Sequence, residues 1–374
     1  MLNRIAVTNF KAFATADIPL ARYTLMSGVN STGKSTVLQA LAILRQSQDL
    51  LGEDDAGGFL LNGDLVELGT GQDVLHENYV SVADESEPRI RLSVQFDQGV
   101  YSWAVVYDRE GDLLRLAEGG GSDAEALRVI FGSGFQYLRA DRISPAVTYP
   151  RSHDRAIRHG FLGARGEHTV NYLRHFQDEP VGDERLHHPM ARSRRLLDQA
   201  EAWMQDICPG VNLQADVIEG TDLVRLSFRF GTAGLSSSNR YRPTNVGFGL
   251  TYVLPVVIAC LASRPGGIVL IENPEAHLHP HGQTAMATLT CAAAAAGAQV
   301  IVETHSDHVL NGVRLAVKRG LIGADEVMLH FFSRDAAGTS IKIETPVLRA
   351  DGMISEWPEG FFDEWENALD RLLD

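Results

Sequence analysis

The chain has 374 residues, 44% of them hydrophobic, which predicts a sizeable folded core and excludes a disordered or fibrous protein. Its 48 acids against 33 bases give a net charge of −15, so any contact with nucleic acid needs a local basic patch or a partner. The three cysteines (Cys208, Cys260 and Cys291) show no paired spacing, and the longest apolar stretch, residues 246–262, falls short of the ~20 residues of a membrane span and contains Pro255; reduced thiols, a cytoplasmic location and no membrane partner are expected.

The chain opens on a predicted hairpin, with Ile5 and Val7 facing Ile18 and Leu20. An apolar strand, Tyr23 to Met26, then leads into Gly28-Val29-Asn30-Ser31-Thr32-Gly33-Lys34-Ser35, followed by Thr36 and the helical pattern Val37, Leu38, Leu41, Leu44. Strand, G-x-x-x-x-G-K-S and helix in that order predict a loop for a nucleoside triphosphate. Its amides cradle phosphate oxygens at a helix N-terminus, Lys34 reaches the β/γ-phosphates and the Ser35 hydroxyl faces Mg²⁺. A second hairpin follows, in which Ile90, Leu92, Val94 and Phe96 alternate with polar residues before Val100 to Tyr107.

Residues 139–174 hold seven arginines and three acids, the one clearly basic stretch, which suits either DNA phosphates or a salt-bridged surface. Arg192 to Ala202 predicts a helix, and Val211 to Ile218 with Leu223 to Phe230 a hairpin. His187 and His188 read as a solvated loop. No heptad repeat supports a coiled-coil arm. From residue 240 the pattern alternates helix and strand: Thr251 to Leu261, Gly267 to Ile271, His281 to Ala296, Gln299 to Val302, and Asp307 to Lys318. The alanine run at 292–296 predicts close helix packing. An apolar stripe (Phe361, Phe362, Trp365, Leu369, Leu372) predicts a closing helix over Glu359 to Leu373. Alternating His277, His279 and His281 lack the Cys or carboxylate companions of a zinc site.

The string Glu272-Asn273-Pro274-Glu275-Ala276-His277-Leu278-His279-Pro280, after the strand Ile268 to Ile271, resembles the D-E-P-E-A-H-L-H-P of ABC-type ATPases of the SMC-like group. Overcoming-lysogenisation-like and RecF-like ATPases are wider kin of that group. Ile301-Val302-Glu303-Thr304-His305-Ser306 is similar to its switch-histidine strand. Asn245-Val246-Gly247-Phe248-Gly249-Leu250-Thr251 stands where its signature sequence does, although a plain turn into a buried helix is the alternative. The opening Asn9 to Phe13 and the ending Trp357 to Asp363 resemble, respectively, the group's first hairpin and a C-terminal extension of some bacterial members.

The resemblance implies an α/β P-loop NTPase of ABC/SMC-head type: a mixed β lobe plus a parallel sheet flanked by helices, with a helical and β insertion. It divides the chain into an N-terminal ATPase lobe (1–140), an insertion (141–240) and a C-terminal lobe (241–374). It further implies ATP and Mg²⁺ as cofactors, with Gly28, Asn30, Ser31, Thr32, Gly33, Lys34, Ser35 and Thr36 on the nucleotide. Asn245, Gly247 and Gly249 would contact the γ-phosphate of a nucleotide held by a second copy. Ser35, Glu272 and Gln72 would face the metal, and Glu272, Asn273, Glu275 and His305 the reaction. One departure matters: the group's general base falls on Asn273, which can orient a water but cannot accept its proton. The expected function is a dimerising ATPase that controls a separate effector such as a nuclease in bacterial defence or repair. The alternatives are a nucleotide sensor with negligible turnover and an ATP-gated DNA clamp. A small-molecule kinase is the weakest rival, having no reason to carry signature and switch histidine together.

Overall fold

The computed structural model describes residues 1–52, 57–80, 87–119, 131, 132, 134–231, 239–335, 338, 340–362, 369 and 371–373. The chain divides into two compact units. The first holds residues 1–132, 328–347 and 356–374; the second holds 133–327 and 348–355.

The first unit starts with β1 (Leu2–Phe10) and β2 (Phe13–Pro19), an antiparallel pair in which Ile5 faces Ile18. Burial alternates along β1, the pattern of a sheet with one covered face. Then come β3 (Tyr23–Gly28), α1 (Lys34–Gln46), β4 (Gly58–Leu60), α2 (Gly71–Val74), β5 (Arg89–Phe96), β6 (Gly99–Val106) and β7 (Leu113–Glu118). Six of these strands form one sheet in the order β2-β1-β5-β6-β7-β4. In β3, by contrast, every residue from Tyr23 to Ser27 is buried.

The second unit contains β8 (Phe135–Leu138), β9 (Tyr149–Pro150), α3 (Thr169–Phe176), α4 (Leu196–Ile207), β10 (Val211–Val217), β11 (Leu223–Phe230), α5 (Phe248–Leu261), β12 (Ile268–Glu272), α6 (Pro280–Ala295), β13 (Gln299–Glu303) and α7 (Asp307–Lys318). Its central ladder is parallel, β12 lying between β8 and β13 with Glu272 aligned on Glu303. All five residues of β12 and of β13 are buried, as expected of parallel strands covered on both faces. Residues 292–294 of α6 are fully buried, and elsewhere on this helix a Cβ on Gly312 of α7 would lie 2.5 Å from the Ala287 Cβ, so α6 and α7 pack closely there. A small sheet, β10-β11-β9, closes this unit. No helix among the described residues is long and apolar enough to cross a membrane.

The chain then returns to the first unit with β14 (Val327–Arg334) and β15 (Ile341–Glu344), and β14 lies beside β3. Phe361, expected in a helix, sits instead in a turn, where it is buried against Phe331 and Trp357 at centroid distances of 5.2 and 5.0 Å. Most of the expected closing helix, including Trp365, lies outside the described residues, and Leu372 is 81% exposed. His188 is also not solvated: its ring packs edge-on to Trp203 at 4.9 Å and its Nε2 is 3.0 Å from Asp206 Oδ2. Burying the indole face is what draws the imidazole inward.

Candidate active site

The phosphate loop joins β3 to α1 within the first unit. Gly28 has φ +136°, and a Cβ there lies 2.0 Å from the Phe332 carbonyl oxygen of β14. Only glycine fits where the two backbones approach this closely. Gly33 has φ +88°, and its absent Cβ leaves room for the Phe13 ring from the β1–β2 turn. Val29, Asn30 and Ser31 form the exposed tip, with Ser31 left-handed at φ 60°. Thr32 Oγ1 donates to the Val29 carbonyl at 2.7 Å, and Thr32 and Thr36 are buried. Lys34 is 3% exposed, and its Nζ donates to the carbonyls of Gly28 (3.0 Å) and Val29 (2.7 Å), so the loop itself positions the ammonium. Ser35 is half-buried on the first turn of α1. That helix starts on Gly33 without a side-chain cap, and a helix N-terminus carries the partial positive charge that favours an anion.

Gln72, expected from the resemblance to face the metal, is exposed on α2, where its Oε1 accepts from Arg109 Nε at 3.1 Å. The end of α2 is tied to the turn that holds Phe13, through Lys11 N–H to the Val74 carbonyl at 2.7 Å. Asn9 of the same turn is fully buried and bonds the Val80 backbone through both side-chain atoms. The Asn-Phe-Lys-Ala-Phe string therefore has a structural task, the joining of loop, α2 and sheet.

The second unit carries the remaining motifs. Glu272 ends β12, 7% exposed; its Oε1 accepts from the Tyr137 hydroxyl at 2.5 Å and its Oε2 from the Ala140 N–H at 2.8 Å. Burial, with the Glu272 carboxylate alongside, pushes the Tyr137 phenol well above its ordinary range, so it remains a donor to this acid. Asn273 follows at φ 43°, a left-handed backbone that asparagine tolerates better than glutamate does. Its N–H donates to the Glu303 carbonyl at 2.8 Å. Glu275 accepts the His305 N–H through Oε1 at 2.8 Å, while its Oε2 is buried with no hydrogen-bond partner among the described residues. The structure thus brings Glu275 and the exposed His305 together, at the ends of neighbouring strands. Ser306 caps α7 by accepting from the Val309 N–H.

The Asn245–Thr251 block is a 3-10 turn (Pro243–Asn245) running into α5. Asn245 and Gly247 are exposed, and α5, like α1, starts on a glycine with no side-chain cap. The two glycines differ. A Cβ at Gly247 meets nothing within 4 Å, whereas one at Gly249 lies 2.6 Å from the His277 carbonyl oxygen. Gly249→Ala is therefore expected to cost about 1–3 kcal/mol in overpacking, read as a lower midpoint in denaturant unfolding, while Gly247→Ala stays near wild type. Equal midpoints in the two variants would refute this packing.

The stretch from Tyr137 to Arg142, to which no sequence motif above assigns a role, holds the end of β12. Arg142 Nη2 donates to the Glu272 carbonyl and Nη1 to the Asn273 carbonyl at 3.2 Å. Burial lowers its guanidinium pKa to about 10.

Residues 24–311 match a family described as "AAA domain, putative AbiEii toxin, Type IV TA system". The chain belongs to this AAA family. Residues 322–372 match a second family, described as a protein of unknown function, DUF3696, which spans the Trp357–Asp363 string. Among solved structures, an SMC head bound to the C-winged helix domain of ScpA is similar at TM-score 0.55 and 16% identity, covering 93% of this chain and 98% of that one. The SMC head with an extended coiled coil from Pyrococcus furiosus, bound to the C-terminal domain of ScpA, is similar at TM-score 0.51 and 13% identity, covering 100% and 99%. No curated protein matches. The fold is therefore that of SMC-head domains.

Proposed function

We propose that this AAA-family chain binds Mg-ATP, dimerises on it and hydrolyses it, switching a separate effector between two states. The observation that carries the reading is the phosphate loop, in which Lys34 is buried with its ammonium held on the loop carbonyls and the following helix opens uncapped. In this reading the loop amides and Lys34 hold the phosphates, and Ser35 and Glu272 supply the hard oxygen ligands that suit Mg²⁺. Gln72 completes the metal's surroundings. Magnesium supplies charge neutralisation on the β- and γ-phosphates when bound.

Phosphoryl transfer depends chiefly on positioning and electrostatic stabilisation, so each residue is assigned a position to hold. Asn273 orients the attacking water, Glu275 takes its proton through Oε2, and His305 contacts the γ-phosphate. The exposed start of α5, with Asn245, Gly247 and Gly249, receives the γ-phosphate of a second copy. Gly247→Glu tests this half. It places a carboxylate in open space, leaving the fold intact while repelling an anion, so ATP-dependent dimerisation measured by mass photometry is expected to disappear. A variant that still dimerises with ATP would remove the signature assignment.

A separately encoded effector, with a nuclease in defence or repair the favoured kind, is the finer part of the proposal. The toxin description of the family and the partner-bound state of the similar SMC heads support it. The DNA-clamp reading has one observation behind it. Arg151, Arg155 and Arg158 are all exposed around the turn His153–Arg158, beside the small β9-β11-β10 sheet. If they meet phosphates, changing all three to alanine flattens the plot of log affinity against log salt by about three units, at roughly 0.9 per phosphate. Unchanged DNA affinity and slope in the triple variant would end that reading.

A further inference from the structure

Arg142 has no assigned role, is 2% exposed, and makes no ion pair among the described residues. The Glu272 and Glu275 carboxylates act on the guanidinium from beyond ion-pair distance, yet an apolar side chain in place of a buried charge commonly gives an equally or more stable fold. The contacts of Arg142 show what only this side chain supplies. Its planar fork reaches two successive carbonyls, those of Glu272 and Asn273, while its face lies over the Tyr252 ring at 5.0 Å. The Tyr252 hydroxyl also accepts the Arg142 backbone N–H at 3.4 Å.

Tyr252 stands in the first turns of α5, the helix that begins at Gly247. A second contact runs the same way. The His277 ring packs on Phe248 at 4.7 Å and edge-on to Tyr252 at 5.0 Å, and its carbonyl abuts Gly249. The strand end bearing Glu272 and Asn273 is thus fastened to the helix start at both ends of a short loop.

We propose that Arg142 is a positioning residue linking the start of α5 to the Glu272–Asn273 strand end, so that movement at the helix start changes the geometry of the water-orienting position. Resting on the function proposed above, the inference makes hydrolysis conditional on what docks against Gly247, while leaving nucleotide binding alone. The physical basis is that a rigid planar group bonded to two carbonyls and stacked on a ring cannot follow one partner without disturbing the other.

The test uses the full chain with Arg142→Lys, Tyr252→Leu and the double variant. Arg142→Lys keeps the charge and loses the fork; Tyr252→Leu keeps bulk and loses the ring. In the nucleotide-free protein, amide hydrogen exchange of residues 273–278 should accelerate in Tyr252→Leu, although position 252 lies on a different element. ATP affinity should stay within about twofold, since the phosphate loop belongs to the other unit, while kcat falls about tenfold in each single variant and no further in the double. Wild-type exchange at 273–278 in Tyr252→Leu, or kcat losses that multiply, would overturn the link. If the wild-type chain shows no ATP-dependent dimer or turnover, the proposed function fails by itself; the exchange measurement still decides the coupling.

Discussion

Lys34→Ala is expected to weaken nucleotide binding severely and, with it, to remove every ATP-dependent change in assembly. Lys34 is 3% exposed and its ammonium is fixed by the carbonyls of Gly28 and Val29, so the charge sits inside the loop with little freedom left to lose on binding. Each charge-assisted bond to a phosphate oxygen contributes about 1.5–3 kcal/mol, and losing two of them weakens ATP binding by at least about 100-fold. Titration with a fluorescent ATP analogue measures this directly, and mass photometry reads the lost dimer. Alanine also strips the Gly28 and Val29 carbonyls of a donor, so the thermal midpoint must be taken without nucleotide. A folded Lys34→Ala chain that binds ATP within a few-fold of wild type would defeat the phosphate-loop assignment. In that event the dimerisation proposal goes too, since it rests on that assignment.

The phosphate loop is legible because strand, loop and helix share one contiguous stretch of residues, although what crowds Gly28 and Gly33, Phe332 and Phe13, comes from elsewhere in the chain. The same holds for β12 and β13: continuous apolar runs ending in an acid identify buried parallel strands without any tertiary knowledge. The hairpins β1–β2, β5–β6 and β10–β11 show alternation with turn residues between them, and each forms as expected. In contrast, β14 has no such signal. Its Val-Met-Leu-His-Phe-Phe run follows a short 3-10 turn (Ala324–Glu326) rather than a hairpin signal, and it acquires meaning only by lying beside β3 and sealing Gly28. The helix α3 is concealed by the arginines and histidines around it. Arg142 is the plainest case of what a sequence hides. Arginine in a basic stretch reads as surface, and the ring and carbonyls that pull it inside come from residues more than a hundred positions away.

Glu275→Gln is expected to lower steady-state phosphate release by about 100-fold, the lower end of what a positioned general base contributes, while ATP binding stays intact. The substitution is unusually clean here. Glutamine keeps an amide oxygen to accept the His305 N–H, now served by Oε1 at 2.8 Å, and so preserves the contact between the two strand ends. What it removes is the basicity of Oε2, which is buried and has no hydrogen-bond partner among the described residues. The competing explanation is that Glu275 merely braces His305. That role needs only the accepting oxygen, so it predicts unchanged hydrolysis in the glutamine variant and a loss only in Glu275→Ala. Asn273→Glu provides the companion measurement. A carboxylate there restores the group's usual base but meets the left-handed backbone at φ 43°, which costs a non-glycine residue about 1–2 kcal/mol. If Glu275 already takes the proton, the new carboxylate adds little, and kcat changes by less than about threefold. A much larger rise in Asn273→Glu, together with undiminished turnover in Glu275→Gln, would move the proton acceptor away from Glu275 and make the wild-type chain a slow, chiefly binding, nucleotide switch.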